Sequence, residues 1–133
     1  MIYVLDATAM IAFLTNEPGA DVIEDLLTEP GSSCLAHAIN LCELWYQAYR
    51  IGGDAAADQV ISVLASIGIA TRSDMDVAFW REAGRLKGMQ RMSLADAFGL
   101  ALTLRVGGEF VSSDHHELDP VAASGVCPVR FFR

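Results

Sequence analysis

The sequence is short of basic residues: nine lysines and arginines face seventeen aspartates and glutamates, which gives a net charge of −8. This balance argues against a broadly basic surface for nucleic acid, because proteins that bind phosphate backbones are usually basic. A metal-dependent nuclease remains compatible with it, since bound cations reverse the local field of clustered carboxylates. The acidity also suits a partner protein with a basic tail.

Long apolar runs and cysteine pairs are missing as well. No apolar stretch approaches transmembrane length, and the N-terminus lacks the basic region and apolar segment of a signal peptide, so we expect a cytoplasmic protein that spans no membrane. The three cysteines include no CxxC pair and lie in apolar contexts. We predict that Cys34, Cys42 and Cys127 are small core residues in a reducing compartment, not a zinc site.

The chain does contain alternating strand-like and helix-like segments. Its 133 residues, 53% of them hydrophobic, fit one globular domain spanning 1–133. Such alternation favours parallel strands joined by right-handed helical crossovers, so we predict a three-layer α/β/α domain. The predicted strands are 2–5, 32–36, 69–71, 109–112 and 126–131.

Glycine, proline and capping residues bound the predicted helices. The first three end at Pro18-Gly19, Pro30-Gly31 and Gly52-Gly53, and the fourth ends at Gly68. Ser73 and Ser93 are the expected caps of the fifth and sixth. The predicted helices are 7–16, 20–27, 39–51, 54–66, one from Ser73 to about 87, and one from Ser93 to about 105.

Four acids stand at element junctions or inside apolar segments. Asp6 follows the first strand and Asp114 the fourth, while Glu43 and Asp96 lie in the third and sixth helices. An acid in apolar surroundings costs free energy unless it is paired or binds a metal. Each has an ordinary alternative: Asp6 can cap a helix, Asp96 can close a capping box with Ser93, Asp114 can belong to a turn, and Glu43 can pair with a base.

The four acids are more informative together. Asp6 and Asp114 both end strands at the carboxyl edge of a parallel sheet, where ligands bind in open α/β folds. If those strands are neighbours, a crevice opens between them, and Glu43 and Asp96 can reach it. Converging carboxylates repel one another, and hard divalent cations such as Mg²⁺ or Mn²⁺ remove that cost. The sequence therefore predicts a carboxylate metal site.

The motifs around these acids resemble those of PIN-domain ribonucleases, specifically VapC-type toxins of type II toxin–antitoxin systems. VLDATA at 4–9 resembles the first-strand motif of that family, and NLCE at 40–43 its third-helix acid. SLADA at 93–97 matches its most recognisable motif. SSDHHE at 112–117 resembles its fourth-strand motif, with Ser112 where Thr is common. The resemblance covers essentially the whole chain.

This resemblance implies a sheet of order 3-2-1-4-5 and an Mg²⁺-dependent endoribonuclease in which Mn²⁺ can substitute. It further implies a homodimer and inhibition by a cognate antitoxin. The implied catalytic and metal-binding acids are Asp6, Glu43, Asp96 and Asp114, with the hydroxyls of Thr8 and Ser112 in support. Asp119 is a further candidate, for which a simple loop position before Pro120 is the alternative.

Four basic residues precede the Asp96 motif, and we predict that they contact the RNA backbone. They are Arg81, Arg85, Lys87 and Arg91. The alternative is a solvated helix face, paired in part with Glu82.

Histidines and aromatic residues leave further alternatives open. His115 and His116 directly follow Asp114, and on an extended segment at most one of them can reach a metal there. His37 is predicted to be structural. Trp45, Tyr46 and Tyr49 have a spacing that suits packing, or a groove for the antitoxin.

Two protein classes with similar folds are excluded because the sequence lacks residues that each class requires. A receiver domain needs an acidic pair after the first strand and a late lysine, but Asp6 stands alone and no lysine follows Lys87. A haloacid-dehalogenase-type phosphatase needs D-x-D, and position 8 is Thr. Two alternatives remain beside a ribonuclease: a DNA-directed nuclease, and a metal-binding module of PIN fold that regulates or binds proteins without nuclease activity.

Overall fold

The computed structural model describes residues 1–133, which form five strands and six helices in near-regular alternation. The strands are β1 Ile2–Leu5, β2 Ser33–His37, β3 Ile69–Arg72, β4 Glu109–Ser112 and β5 Val129–Phe131. The helices are α1 Ala7–Leu14, α2 Ala20–Thr28, α3 Ala38–Ser66, α4 Val77–Met89, α5 Leu94–Val106 and α6 His115–Ser124.

The strands form one parallel sheet of order β3-β2-β1-β4-β5, as predicted. β1 lies at its centre: Val4 is in register with Leu35 of β2 on one side and with Phe110 of β4 on the other. The strands that end at Asp6 and Asp114 are therefore neighbours, which the predicted crevice requires.

Two hydrophobic cores cover the two faces of the sheet, and they confirm the three layers. Leu5 and Val111 point into a core built with α1, α2 and α3. Val4 and Phe110 point the other way, into a core built with α4, α5 and α6. The helices that follow β1 and β4 thus lie on opposite faces, and a crevice opens between them at the carboxyl edge.

The glycine pair at 52–53 separates two helical segments without a loop between them. Helical structure runs from Ala38 to Ser66 and is interrupted at Gly53, whose φ of 80° and ψ of −170° fit glycine far better than any other residue. The predicted boundary is right, although the two segments follow each other directly.

The segment after Asp114 is a helix, so its prediction as a loop and an extended stretch is wrong. Pro120 normally argues against a helix interior, because it lacks the backbone N–H. Here Asp114 caps the helix by accepting from the Glu117 N–H at 3.1 Å, and Leu118 and Val121 are fully buried in the core. Burial of that apolar face outweighs the local proline signal.

Three smaller predictions are also wrong. Asp76, not Ser73, caps α4, because the Arg105 guanidinium holds its carboxylate at 2.6 and 2.9 Å beside the first turn. β5 begins at Val129 because Pro128 cannot donate to the ladder. Cys42 is exposed, since its neighbours on α3 occupy the core-facing side, whereas Cys34 and Cys127 are buried as predicted.

No helix has the length and apolar content to cross a membrane.

Candidate metal centre

A cavity of about 190 Å³ opens at the carboxyl ends of β1 and β4. It brings together all four acids singled out from the sequence, the predicted supporting residue Thr8, and one further acid. The lining residues are Asp6, Ala7, Thr8, Glu43, Ser93, Asp96, Asp114 and Glu117.

Asp6 is held rigidly at the base of this cavity. Its Oδ1 accepts from the Thr8 hydroxyl at 2.7 Å and from the Ala9 N–H at 2.8 Å, and its Oδ2 accepts from the Ser112 hydroxyl at 2.5 Å. Asp6 therefore caps α1 as well as facing the site. Burial raises the pKa of its carboxyl, and the three hydrogen bonds oppose that rise.

Asp96 lies in the first turn of α5, but its carboxylate does not close a capping box. Ser93 caps the helix by accepting from the Asp96 N–H at 3.1 Å, and the Ser93 N–H donates instead to Oε2 of Glu117 at 3.0 Å. Burial, and then the nearby charges of Asp6, Asp114 and Glu117, raise the pKa of Asp96 to about 7. A buried carboxylate without a cation beside it is costly to ionise, and a bound cation would reverse that cost.

Asp96, Asp114 and Glu117 form the tightest acidic group. Each offers a carboxylate oxygen, and these oxygens lie within 4.8 Å of one another. One ion with oxygen ligands at about 2.0–2.6 Å bridges such separations, so the three residues fit a hard divalent cation. Glu117 is not among the site residues predicted from the sequence. The signal that could have found it is the Asp-x-x-Glu spacing from Asp114, because this spacing places both acids at the start of α6.

Glu43 lies on the α3 wall of the same cavity, apart from that tight group. It is half-buried, and burial, with a contribution from Asp6, raises the pKa of its carboxyl. Ser112 is buried behind Asp6; it donates to that carboxylate and accepts from the Asp114 N–H at 3.1 Å. The predicted hydroxyls of Thr8 and Ser112 thus both orient Asp6.

The candidates that follow Asp114 lie outside the cavity. Both ring nitrogens of His115 are engaged, one with Oδ1 of Asp119 and the other with the Arg133 carbonyl, each at 2.8 Å. The His115 ring also stacks on Phe131, with 3.9 Å between centroids. His116 is exposed. The contacts of His115 therefore join α6 to the C-terminal strand.

The predicted basic strip also lies outside the cavity. Arg85 pairs with Glu82 at 2.8 Å, and Lys87 donates to the Met92 carbonyl at 2.7 Å. Arg81 and Arg91 are exposed and make no ion pair. Of the four residues predicted to contact RNA, Arg81 and Arg91 have unpaired charges, whereas Arg85 and Lys87 already bind groups of the same chain.

The remaining aromatic and histidine candidates have structural contacts. His37 is fully buried, accepts from the Ile39 N–H at 3.1 Å and stacks on Phe79, as its structural prediction requires. Trp45 donates to Oδ1 of Asp58 at 3.0 Å and stacks on Tyr49. Tyr46, on the same helix, is exposed.

Residues 3–123 match the PIN-domain family. The chain belongs to this family. Several solved structures have a similar fold. VapBC2 from Rickettsia felis, bound to a DNA fragment from its promoter, has a TM-score of 0.76 at 12% identity and covers 98% of both chains.

VapBC-1 from nontypeable Haemophilus influenzae has a TM-score of 0.76 at 16% identity, over 99% of this chain and 98% of the other. VapC20 from Mycobacterium tuberculosis, described as a sarcin-ricin loop cleaving toxin, has a TM-score of 0.62 at 16% identity over 83% and 87%. These likenesses concern the fold. No curated protein sequence matches this PIN domain.

Proposed function

We propose that this PIN domain is a metal-dependent endoribonuclease that hydrolyses RNA phosphodiester bonds. The observation that carries the proposal is the convergence of Asp6, Glu43, Asp96, Asp114 and Glu117 in one cavity at the carboxyl edge of the sheet. Membership of the PIN family supports a nuclease in particular. The cavity contains no histidine or cysteine, so its chemistry rests on carboxylates and hydroxyls.

The protein's own residues have distinct parts in this proposal. Asp96, Asp114 and Glu117 would hold the cation, with Mg²⁺ preferred and Mn²⁺ able to replace it. Asp6, fixed by Thr8 and Ser112, would complete the site from β1. When bound, the divalent ion supplies a Lewis acid that activates water and stabilises charge on the phosphate.

A cleavage assay tests the proposal directly. Single-stranded RNA should be cut in the presence of Mg²⁺ or Mn²⁺, and Asp6→Asn and Asp96→Asn should each lower the rate by at least about a hundredfold, as expected for loss of a catalytic electrostatic group. Asp25→Asn, an exposed acid on α2, is the matched control and should retain full activity. Activity that survives both site substitutions would refute this active site.

Substrate and product analysis separates the remaining alternatives. Hydrolysis by water leaves fragments with a 5′-phosphate, whereas attack by the RNA 2′-hydroxyl would leave a cyclic phosphate and contradict the proposal. Cleavage of single-stranded DNA at an equal rate would favour a DNA-directed or sugar-indifferent nuclease. Binding of Mn²⁺ without cleavage of either polymer would favour a metal-binding regulatory or interaction module.

We further propose that the chain is the toxin of a type II toxin–antitoxin system, is inhibited by a cognate antitoxin and forms a homodimer. Several structures of similar fold are described as VapBC, and another is described as a toxin–antitoxin complex from Klebsiella pneumoniae. An uncovered apolar groove between α1 and α3 supports a protein partner, with Ile51 91% exposed at its edge. Co-purification with the product of an adjacent short reading frame, together with light scattering, tests partner and dimer.

A further inference from the structure

A second cavity adjoins the metal centre and shares a wall with it. Its volume is about 280 Å³, many times the roughly 30 Å³ that a water molecule occupies in the liquid. Glu43 and Ser93 line both cavities. The remaining lining residues of the second cavity are Ile39, Cys42, Tyr46 and Ala95. An RNA strand with one phosphate at the metal centre can therefore extend into this space.

Tyr46 gives the second cavity an aromatic wall that is open to solvent. It lies one turn after Glu43 on α3 and is 39% exposed. The Arg50 guanidinium, a further turn along, stands 4.8 Å from the centroid of its ring. An exposed aromatic ring with an arginine against it is a surface on which unpaired nucleobases stack.

Arg50 differs in its charge pairing from the other arginines of the chain that lie over aromatic rings. The other arginines that lie over aromatic rings are Arg105, Arg130 and Arg133, and each is ion-paired with an acid. Arg50 makes no ion pair. In a chain with a net charge of −8, an unpaired guanidinium against the aromatic wall of the second cavity favours an anionic ligand with a flat face.

We propose that Tyr46 and Arg50 form a nucleobase subsite that binds the nucleotide next to the scissile phosphate of single-stranded RNA. This inference rests on the proposed nuclease function and adds a specificity-determining site to it. Tyr46 offers the stacking face, and Arg50 offers its guanidinium plane and a charge for the neighbouring phosphate. A basic protein segment is disfavoured there, because Arg50 would repel it.

Cleavage kinetics with Mg²⁺ test the subsite. Tyr46→Ala should lower kcat/KM on single-stranded RNA about tenfold, the order of effect expected for loss of one stacked base. Tyr46→Phe keeps the ring and should stay near the unsubstituted value. Tyr49→Ala is the matched control, because Tyr49 is 48% exposed on the same helix but does not line the cavity. Equal effects of Tyr46→Ala and Tyr49→Ala would overturn the subsite.

Salt dependence separates stacking from charge. Arg50→Ala should reduce the slope of log affinity against log salt by about 0.7, the value for one phosphate contact on a single strand. Tyr46→Ala should weaken binding without changing that slope. A merely structural role for either residue predicts no such difference between the two variants.

Cys42 provides a readout that does not depend on activity. It lines the second cavity and is the one exposed cysteine, so alkylation of the native protein reports on it alone. In the Asp96→Asn variant, mixed-sequence single-stranded RNA should slow alkylation of Cys42, and double-stranded RNA should not. Alkylation that slows with protein concentration in the absence of RNA would instead identify the surface as a contact between two copies and overturn the inference.

The outcomes distinguish this inference from the function on which it rests. In one outcome, the protein cuts RNA while Tyr46→Ala and Tyr49→Ala have equal effects and RNA does not protect Cys42 from alkylation. That result would contradict the subsite and leave the proposed nuclease function intact. If no RNA is cut with Mg²⁺ or Mn²⁺, the proposed function itself is wrong.

Discussion

The Ser112 hydroxyl donates to Oδ2 of Asp6 at 2.5 Å, across the boundary between β4 and β1. The same hydroxyl oxygen accepts from the Asp114 N–H at 3.1 Å, so one buried side chain connects the two acids that end neighbouring strands. Asp6 and Asp114 are thereby fixed relative to each other without direct contact. This arrangement makes Ser112 a positioning residue for the metal centre.

Ser112→Ala should destabilise the protein and lower nuclease activity together. The substitution leaves a buried carboxylate oxygen without its donor, which costs about 2 kcal/mol of unfolding free energy. Urea denaturation and the RNA cleavage rate measure the two effects. Ser113→Ala is the control, because the Ser113 side chain makes no hydrogen bond in this network, and it should change neither quantity. Full activity of Ser112→Ala would show that Asp6 does not need this bond.

The stability of the metal-free protein should fall as the pH rises from about 4 to 7. Asp96 has a pKa raised from 3.8 to about 7 by burial first and then by its acidic neighbours, so in this window the folded state binds more protons than the unfolded state. Its contribution is fully present below pH 3.8 and is lost as the pH passes 7, with a slope of up to about 1.4 kcal/mol per pH unit.

Urea denaturation with a chelator at several pH values measures that slope. Asp96→Asn removes the titrating group and should flatten the dependence. Added Mg²⁺ should stabilise the protein increasingly toward pH 8, because the ion binds the ionised carboxylates. A slope unchanged in Asp96→Asn would mean that other groups cause it.

Glu117→Gln should weaken divalent-cation binding by about ten- to a hundredfold, since it removes one of three close carboxylates and changes a ligand contact. Calorimetry with Mn²⁺ measures the affinity directly. Glu24→Gln, an exposed acid on α2, should leave it unchanged. Glu117 also accepts from the Ser93 N–H, so a thermal unfolding curve of the metal-free variant is needed to separate ligand loss from loss of the α5 cap. Unaltered Mn²⁺ affinity would remove Glu117 from the site.

The basic strip should divide into residues that act by charge alone and residues that also support the fold. Arg81→Ala should weaken RNA binding uniformly across sequences and lower its salt slope, with no change in stability. Lys87→Met should in addition cost about 1 kcal/mol of stability, because Lys87 donates to the Met92 carbonyl between α4 and α5. RNA binding at several salt concentrations, with urea denaturation alongside, tests both. Unchanged binding in both variants would exclude the strip from the RNA path.

Much of the fold follows from local signals in the sequence. Alternating apolar segments, glycine pairs and the Ser93 cap predict the element order, and the parallel sheet with order 3-2-1-4-5 agrees with the family resemblance. Two of the errors fall where a distant partner outweighs a local preference. Pro120 lies inside a helix because Leu118 and Val121 bury against the core, and α4 begins after Asp76 because Arg105, 29 residues away in the chain, holds that carboxylate.

The sequence by itself determined which acids lie at element junctions or in apolar segments, where an ionised carboxylate costs free energy. Their neighbours along the chain therefore identify four candidates, which are Asp6, Glu43, Asp96 and Asp114. Only the tertiary structure decided that they share one cavity, that Glu117 joins Asp96 and Asp114, and that Asp96 is free of a capping box. The physical reason is that apolar context and capping preference are local properties of a few consecutive residues. Distances between carboxylates on β1, α3, α5 and α6 depend on how two helical layers pack across the sheet.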